Sequence, residues 1–157
     1  SCDFIKVGDN FLIQKDLKIG NKKIVFEKNY WKISASHNGY FKNYGIIHDR
    51  ELEFYPEQNK FIGYDKLISK KNIKNLKFDI RFHLEPNVKV MKTQDNKSIL
   101  IDLDDEGWKF NSPNNDIYID NGLYFGKKNS FTNNQNIFIS GMTIDENQII
   151  KWEITKL

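Results

Sequence analysis

An all-β fold, an antiparallel β-sandwich of stacked sheets with no significant helix, is what this sequence predicts, on three observations. Apolar residues alternate with polar ones at period two almost from end to end. Turn signals rich in Asn, Gly, Asp and Pro punctuate that alternation at short intervals. No amphipathic helical run is present to supply the crossovers that a parallel sheet requires.

Taken in order, a strand over 22–27 follows Gly20-Asn21, and a second over 30–37 ends at Asn38-Gly39. Strands over 46–55 and 60–68 come next, then the clearest of all over 77–84. There Phe78, Ile80, Phe82 and Leu84 share the core-facing side, because successive side chains in a strand point to opposite faces. Beyond Pro86-Asn87 lie 87–93 and 98–104, closed by a turn at Asp105-Glu106-Gly107. Strands over 116–119 and 122–126 follow Pro113-Asn114-Asn115, and 136–142 and 149–156 follow Asn133-Asn134. The lysine-rich spots Ser69-Lys70-Lys71 and Gly126-Lys127-Lys128 read as further turns. The predicted core rests on Trp31, Phe54, Phe78, Trp108, Phe138 and Trp152.

Size and composition narrow the function. A chain of 157 residues, without repeats or linkers, fits one sandwich domain over 1–157. With 39% hydrophobic and 14% aromatic residues it has the means to build a core. The longest apolar runs, such as Ile137-Phe138-Ile139, are too short to cross a bilayer, so no membrane partner is expected. A net charge of +3 with interleaved signs lacks the basic stripe of a nucleic-acid binder, yet allows weak attraction of anionic ligands such as acidic sugars. Cys2 is the only cysteine, which rules out an internal disulfide and reads as an incidental thiol. Ser1-Cys2-Asp3-Phe4 has no initiating Met, basic start or apolar segment, and reads as the start of a piece excised from a longer protein.

The polar residues of interest cluster at 36–52, SHNGYFKNYGIIHDREL. Matching apolar faces pairs Trp31 with Phe54, Ile33 with Leu52, Ala35 with Arg50, and His37 with His48. Cross-strand Cβ atoms in such pairs lie about 4.5–5.5 Å apart, so both imidazoles and Arg50 would meet on the core-side face at the loop end. A cation and two imidazoles at the mouth of a core need partners or an anionic ligand. The plainer alternative is a core-edge cap, hydrogen-bonded to backbone or to Asp49. Among 24 Lys and Arg residues only Arg50 and Arg81 are arginines, each next to a histidine: His48-Asp49-Arg50 and Arg81-Phe82-His83. The planar fork of Arg binds carboxylates in two-point fashion, whether on an internal Asp or Glu or on a ligand. His37 and His48 with His83 or an acid could form a metal set, but no tight ligand spacing is present, and no metal or cofactor is expected. Serine-nucleophile and phosphate-loop signatures are absent.

The segments SHNGY (36–40), YGIIHDREL (44–52), GYDKL (63–67), IRFHLEPNVKV (80–90), GWKF (107–110) and IKWEITK (150–156) occur in an order that resembles the C-terminal β-sandwich region of heparinase II/III-like proteins of Gram-negative bacteria. The chain departs from that pattern at Glu85, where the family often has a second His, and at Asp120-Asn121-Gly122-Leu123-Tyr124, where an acidic-Ser pair commonly precedes the Tyr. The resemblance implies a polysaccharide lyase in which an α/α toroid precedes the stacked sheets and uronic-acid glycans are cleaved by β-elimination. It makes His37 the candidate catalytic residue, and Tyr40, His48, Arg50, Arg81 and His83 candidate substrate contacts. The implied partners are an acidic polysaccharide and the toroid of the same parent chain. The implied compartment is the periplasm or cell envelope, with a cytoplasmic site left open. An isolated sandwich would be inactive. A non-catalytic glycan-binding module, with Tyr40, Phe41 and Tyr44 as an aromatic platform, and a purely structural sandwich stand as the alternatives.

Overall fold

A computed structural model describes residues 4–8, 10–13, 17–70, 75–126 and 130–157. Cys2, Lys71, Lys127 and Lys128 lie outside the described residues. The strands are β1 (Phe4–Val7), β2 (Asn10–Ile13), β3 (Ile19–Glu27), β4 (Tyr30–His37), β5 (Ile46–Tyr55), β6 (Lys60–Ser69), β7 (Lys77–His83), β8 (Lys89–Lys92), β9 (Ser98–Leu103), β10 (Glu106–Asn111), β11 (Ile117–Tyr124), β12 (Thr132–Met142) and β13 (Asn147–Lys156). A single α-helical turn, α1 (Phe41–Tyr44), joins β4 to β5 and ends on Gly45, whose left-handed φ of 66° suits a residue without Cβ.

Every pairing is antiparallel. Besides the β1–β2 hairpin, an eight-stranded sheet runs β3-β4-β5-β6-β13-β10-β9-β8 and a three-stranded sheet runs β11-β12-β7. The small sheet packs on one face of the large one, as the predicted sandwich requires. Ile80, Ile117, Ile137 and Ile139 from the small sheet meet Leu67, Ile99, Ile101, Phe110, Ile150 and Trp152 from the large one. Each fully buried side chain of this kind contributes about 1.5–3 kcal/mol. Aromatic contacts tie the layers together, with Phe82 edge-on to Phe110 at 4.8 Å and to Trp152 at 4.7 Å. The far face of the large sheet is polar. There Lys32 reaches Glu51 at 2.7 Å and the Tyr30 hydroxyl donates to Glu53 at 2.9 Å.

Several elements differ from the sequence expectation. The turn predicted at 105–107 ends sooner: Asp104 takes the left-handed conformation at φ 58°, and β10 starts at Glu106. The two strands predicted over 116–126 are one, because Gly122 stays in register opposite Asn134 instead of breaking the ladder. The hairpin β1–β2 adds two strands that were not predicted. The core is also narrower than expected. Trp152 is buried, and Phe78 and Trp108 pack against the core. Trp31 is 41% exposed, and Phe138 lies on the outer face of the small sheet, stacked on Tyr118 with the Arg81 guanidinium 4.7 Å from its ring. A three-stranded sheet, at about 4.8 Å per strand, is too narrow to roof eight strands.

Gly63 sits directly opposite Trp152 and leaves room for its indole; a methyl group there would overlap the ring. Gly63→Ala is therefore expected to destabilise the fold by about 1–3 kcal/mol, measured as a lower urea midpoint with an unchanged slope.

Candidate functional site

The register of the histidine hairpin is the one the apolar faces predict: Trp31 opposite Phe54, Ile33 opposite Leu52, Ala35 opposite Arg50, His37 opposite His48. The imidazoles meet edge to face, with His37 Nε2 3.1 Å from His48 Nδ1. Beyond them, on β6, lies the fully buried carboxylate of Asp65. Its Oδ1 is 2.6 Å from His48 Nε2 and accepts Arg50 Nε at 2.7 Å. Its Oδ2 accepts Trp152 Nε1 at 2.8 Å and Arg50 Nη2 at 3.2 Å. The carboxylate that neutralises the cluster is thus Asp65, not the neighbouring Asp49.

These contacts fix the tautomers. The Gly39 N–H donates to His37 Nδ1 at 3.2 Å, so that nitrogen carries a lone pair. The proton of neutral His37 then sits on Nε2 and is donated to His48 Nδ1, which leaves the His48 proton on Nε2, pointing at Asp65. The wire runs in one direction, Gly39 to His37 to His48 to Asp65, and both nitrogens of each ring are engaged. Adding a proton to either ring costs one of these bonds. Burial, then the neighbouring His48 and Arg50, push the His37 pKa below its ordinary value. Burial acts to raise the pKa of Asp65, but hydrogen bonds from His48 and Arg50 outweigh it and hold the carboxyl below its usual range.

A cavity of about 720 Å³ opens beside this wire, between α1, the inner face of β4–β6 and strand β7. His37, Tyr40, His48, Arg50 and Arg81 all line it, so five of the six residues singled out from the sequence come together. Ile46, Leu67, Phe78 and Ile80 line its apolar part. Arg50, Lys77, Asp79 and Arg81 belong to its lining, with the Arg81 guanidinium turned to the outer face of the small sheet, over Phe138 and 3.6 Å from Asp79. Arg50 spends its fork on Asp65, and Arg81 bonds Asp120 at 3.1 Å. Among the described residues, nothing hydrogen-bonds the Tyr40 and Tyr44 hydroxyls or the Lys77 ammonium, which remain available to a ligand. Lys77 and Asp65 were missed in the sequence. A charge at an inward position of an otherwise alternating strand was the available signal for Asp65.

His83 lies elsewhere, on the outer face of the small sheet, its Nδ1 3.0 Å from Asn136 Oδ1. Nearby, the Tyr124 hydroxyl donates to Glu85 at 2.9 Å, so the two places where the chain departs from the family pattern are bonded to each other. Among the described residues no three His, Cys, Asp or Glu side chains converge to hold a metal ion. No helix among them is long and apolar enough to cross a membrane, which says nothing of β-barrels.

Asp65→Ala leaves a guanidinium, an imidazole and an indole without their acceptor. The expected loss is about 3–4 kcal/mol, at the low end for a broken buried pair because Arg50 is 37% exposed; urea denaturation measures it. The lowered His37 pKa carries its own sign: the unfolded chain takes up that proton first. Its stabilisation is complete above about pH 6.5 and is lost as pH falls through the lower folded value. Between about pH 7.5 and about pH 5, on either side of the ordinary imidazole value, the urea midpoint should fall more for the native chain than for His37→Gln.

Residues 1–153 match the family described as heparinase II/III-like, C-terminal. No curated protein matches the chain by sequence. Among solved structures the fold is similar to that of the heparan sulfate lyase HepC from Pedobacter heparinus, with a TM-score of 0.75 and 12% identity over 88% of this chain and 22% of that one. A heparinase III gene product aligns with a TM-score of 0.70 and 11% identity over 89% of this chain and 22% of its own. Another heparinase III structure covers 97% of this chain and 22% of its own at 12% identity, with a TM-score of 0.64. The chain spans about a fifth of the length of these structures, and at such identities the likeness is one of fold. Together with the ordered motifs and the sandwich that carries them, the match over nearly the whole sequence places this chain in the heparinase II/III-like C-terminal family.

Proposed function

We propose that residues 1–157 form one sandwich domain of a longer polypeptide, a polysaccharide lyase that cleaves uronic-acid-containing glycans by β-elimination, and that this domain supplies a wall of the glycan cleft. The observation that carries the reading is the cavity beside the histidine wire, with the Lys77 ammonium and two tyrosine hydroxyls at hand. β-Elimination requires the uronate carboxylate to be neutralised so that the adjacent C–H becomes acidic. A base then takes that proton and an acid meets the leaving oxygen. Lys77 holds the carboxylate or a sulfate, with Arg81 at the rim of the cavity, while Tyr40 and Tyr44 donate to sugar oxygens. Arg50 and His48 act from behind through Asp65.

The sequence reading gave His37 the catalytic part. With both ring nitrogens engaged, we assign it a positioning role instead: its Nδ1 anchors Gly39, and its ring lies 5.4 Å from that of Tyr40. Proton transfer then falls to the helical toroid of the parent chain, and this domain alone is inactive. A substrate outside the cytoplasm fits a periplasmic or envelope enzyme.

The test uses the longer polypeptide with a panel of uronate glycans. Release of unsaturated ends, followed by ultraviolet absorbance, is expected, and none across the panel overturns the reading. Lys77→Ala should lower kcat/KM about tenfold, equivalent to about 1.4 kcal/mol, with kcat falling as well because the carboxylate is then less well neutralised in the transition state. Tyr40→Phe should act in the same direction.

A further inference from the structure

The inner face of the large sheet does not stop where the small sheet stops. Eight strands span about 38 Å and three about 14 Å at 4.8 Å each, and the part left unroofed lies over β3, β4 and β5. Its side chains are apolar. A ladder of rings crosses the strands: Phe26 on Trp31 at 5.1 Å, Trp31 on Phe54 at 5.2 Å, Phe54 on Phe61 at 4.3 Å, and Phe61 on Trp108 at 6.5 Å. Ile24, Ile33 and Leu52 form the next row. Phe26 and Ile24 are about three-quarters exposed and Ile33 is 53% exposed. On monomers, contiguous apolar patches above about 300–600 Å² are rare and mark interaction surfaces.

We propose that this ribbon is the docking surface for another part of the same longer polypeptide, an apolar protein surface that completes the roof of the sandwich. The inference rests on the reading of the chain as a domain of a larger lyase. Two features of the ribbon select its occupant. First, it shares a face with Leu67 and Trp152, so it is the sandwich interface continued past the small sheet rather than a separate outer patch. Interfaces between permanently joined parts resemble a core cut in half. Second, its rings lean on one another, with 29° between Phe26 and Trp31 and 23° between Phe54 and Phe61. Faces used in such stacks leave edges outward, whereas a sugar needs an open ring face. The cation beside its last ring, Lys156 opposite Trp108, is already paired with Glu106, whereas Lys77, which lines the cavity, has no such partner among the described residues. The solved structures with this fold are about four times as long as the chain, and a parent of that kind has ample polypeptide to supply the occupant.

Hydroxyl-radical footprinting of the longer polypeptide tests this directly. Phe26, Trp31 and Ile33 should be labelled about tenfold more slowly, after correction for residue type, than the exposed Met91 and Phe125 of the same molecule. Equal labelling overturns the proposal. Protection that disappears on dilution points to a second copy, and protection that arises only when glycan is added points to a sugar platform; either result also overturns it. Ile33→Asp should free Phe26 and Trp31 for labelling while Trp152 stays protected; unchanged protection of Phe26 and Trp31 counts against it. A polypeptide that protects the ribbon yet releases no unsaturated ends rejects the lyase reading and leaves this one standing. An active polypeptide with a freely labelled ribbon does the reverse.

Discussion

A single buried carboxylate organises this molecule. Asp65 has no exposed surface, and a charge in that position survives only where donors surround it. They come from both sides: His48 and Arg50 from β5 and Trp152 from β13, the two strands that flank β6. Because Gly63 carries no side chain, the indole can lean across β6 to reach the carboxylate. What Asp65 holds then holds other groups. The His48 ring is aimed by Asp65, His37 by His48, and the Gly39 turn that presents Tyr40 by His37. The shape of the cavity wall is therefore set from the interior of the sheet, three hydrogen bonds away from the loop that a ligand would meet.

The large sheet divides its inner face by chemistry. One end, at His37, His48 and Arg50, is polar and opens on the cavity. The other, at Phe26, Trp31 and Phe61, is a stacked aromatic ribbon. Both ends come from the same alternating positions of the same strands, so a few inward substitutions along β4 and β5 change a packing surface into a binding one. The reverse face, with its Lys32–Glu51 and Lys60–Glu153 pairs, takes no part in either.

Much of this was legible in the residues. The alternation of Trp31, Ile33, Ala35 and His37 against Phe54, Leu52, Arg50 and His48 allows one register in which apolar faces coincide, and that register is the observed one. The scarcity of arginine pointed to Arg50 and Arg81 for the same physical reason, the two-point geometry that Arg50 makes with Asp65. Other features were hidden because they depend on non-local pairing. Asp65 is a partner of His48 only through the β5–β6 ladder, while Asp49, adjacent in sequence, points to the opposite face. Trp31 and Phe138 look like core residues by type, yet the narrow small sheet leaves Trp31 unroofed, and alternation with the buried Ile137 and Ile139 turns Phe138 outward. His83 reads as a neighbour of Arg81 along the chain and shares its face of β7, yet the cavity lining ends at Arg81 and His83 sits farther along, at Asn136.

The position of β13 has a consequence for how the chain is made. This strand, at 147–156, lies between β6 and β10 and is the only connection in the large sheet between the group β3–β6 and the group β8–β10. During vectorial synthesis both groups leave the ribosome before the strand that unites them, and the indole that caps Asp65 emerges after every other strand of the large sheet. Until then the nascent chain carries two sheet edges that β13 later covers and an Asp65 carboxylate that still lacks its indole donor, and such open edges favour wrong pairing.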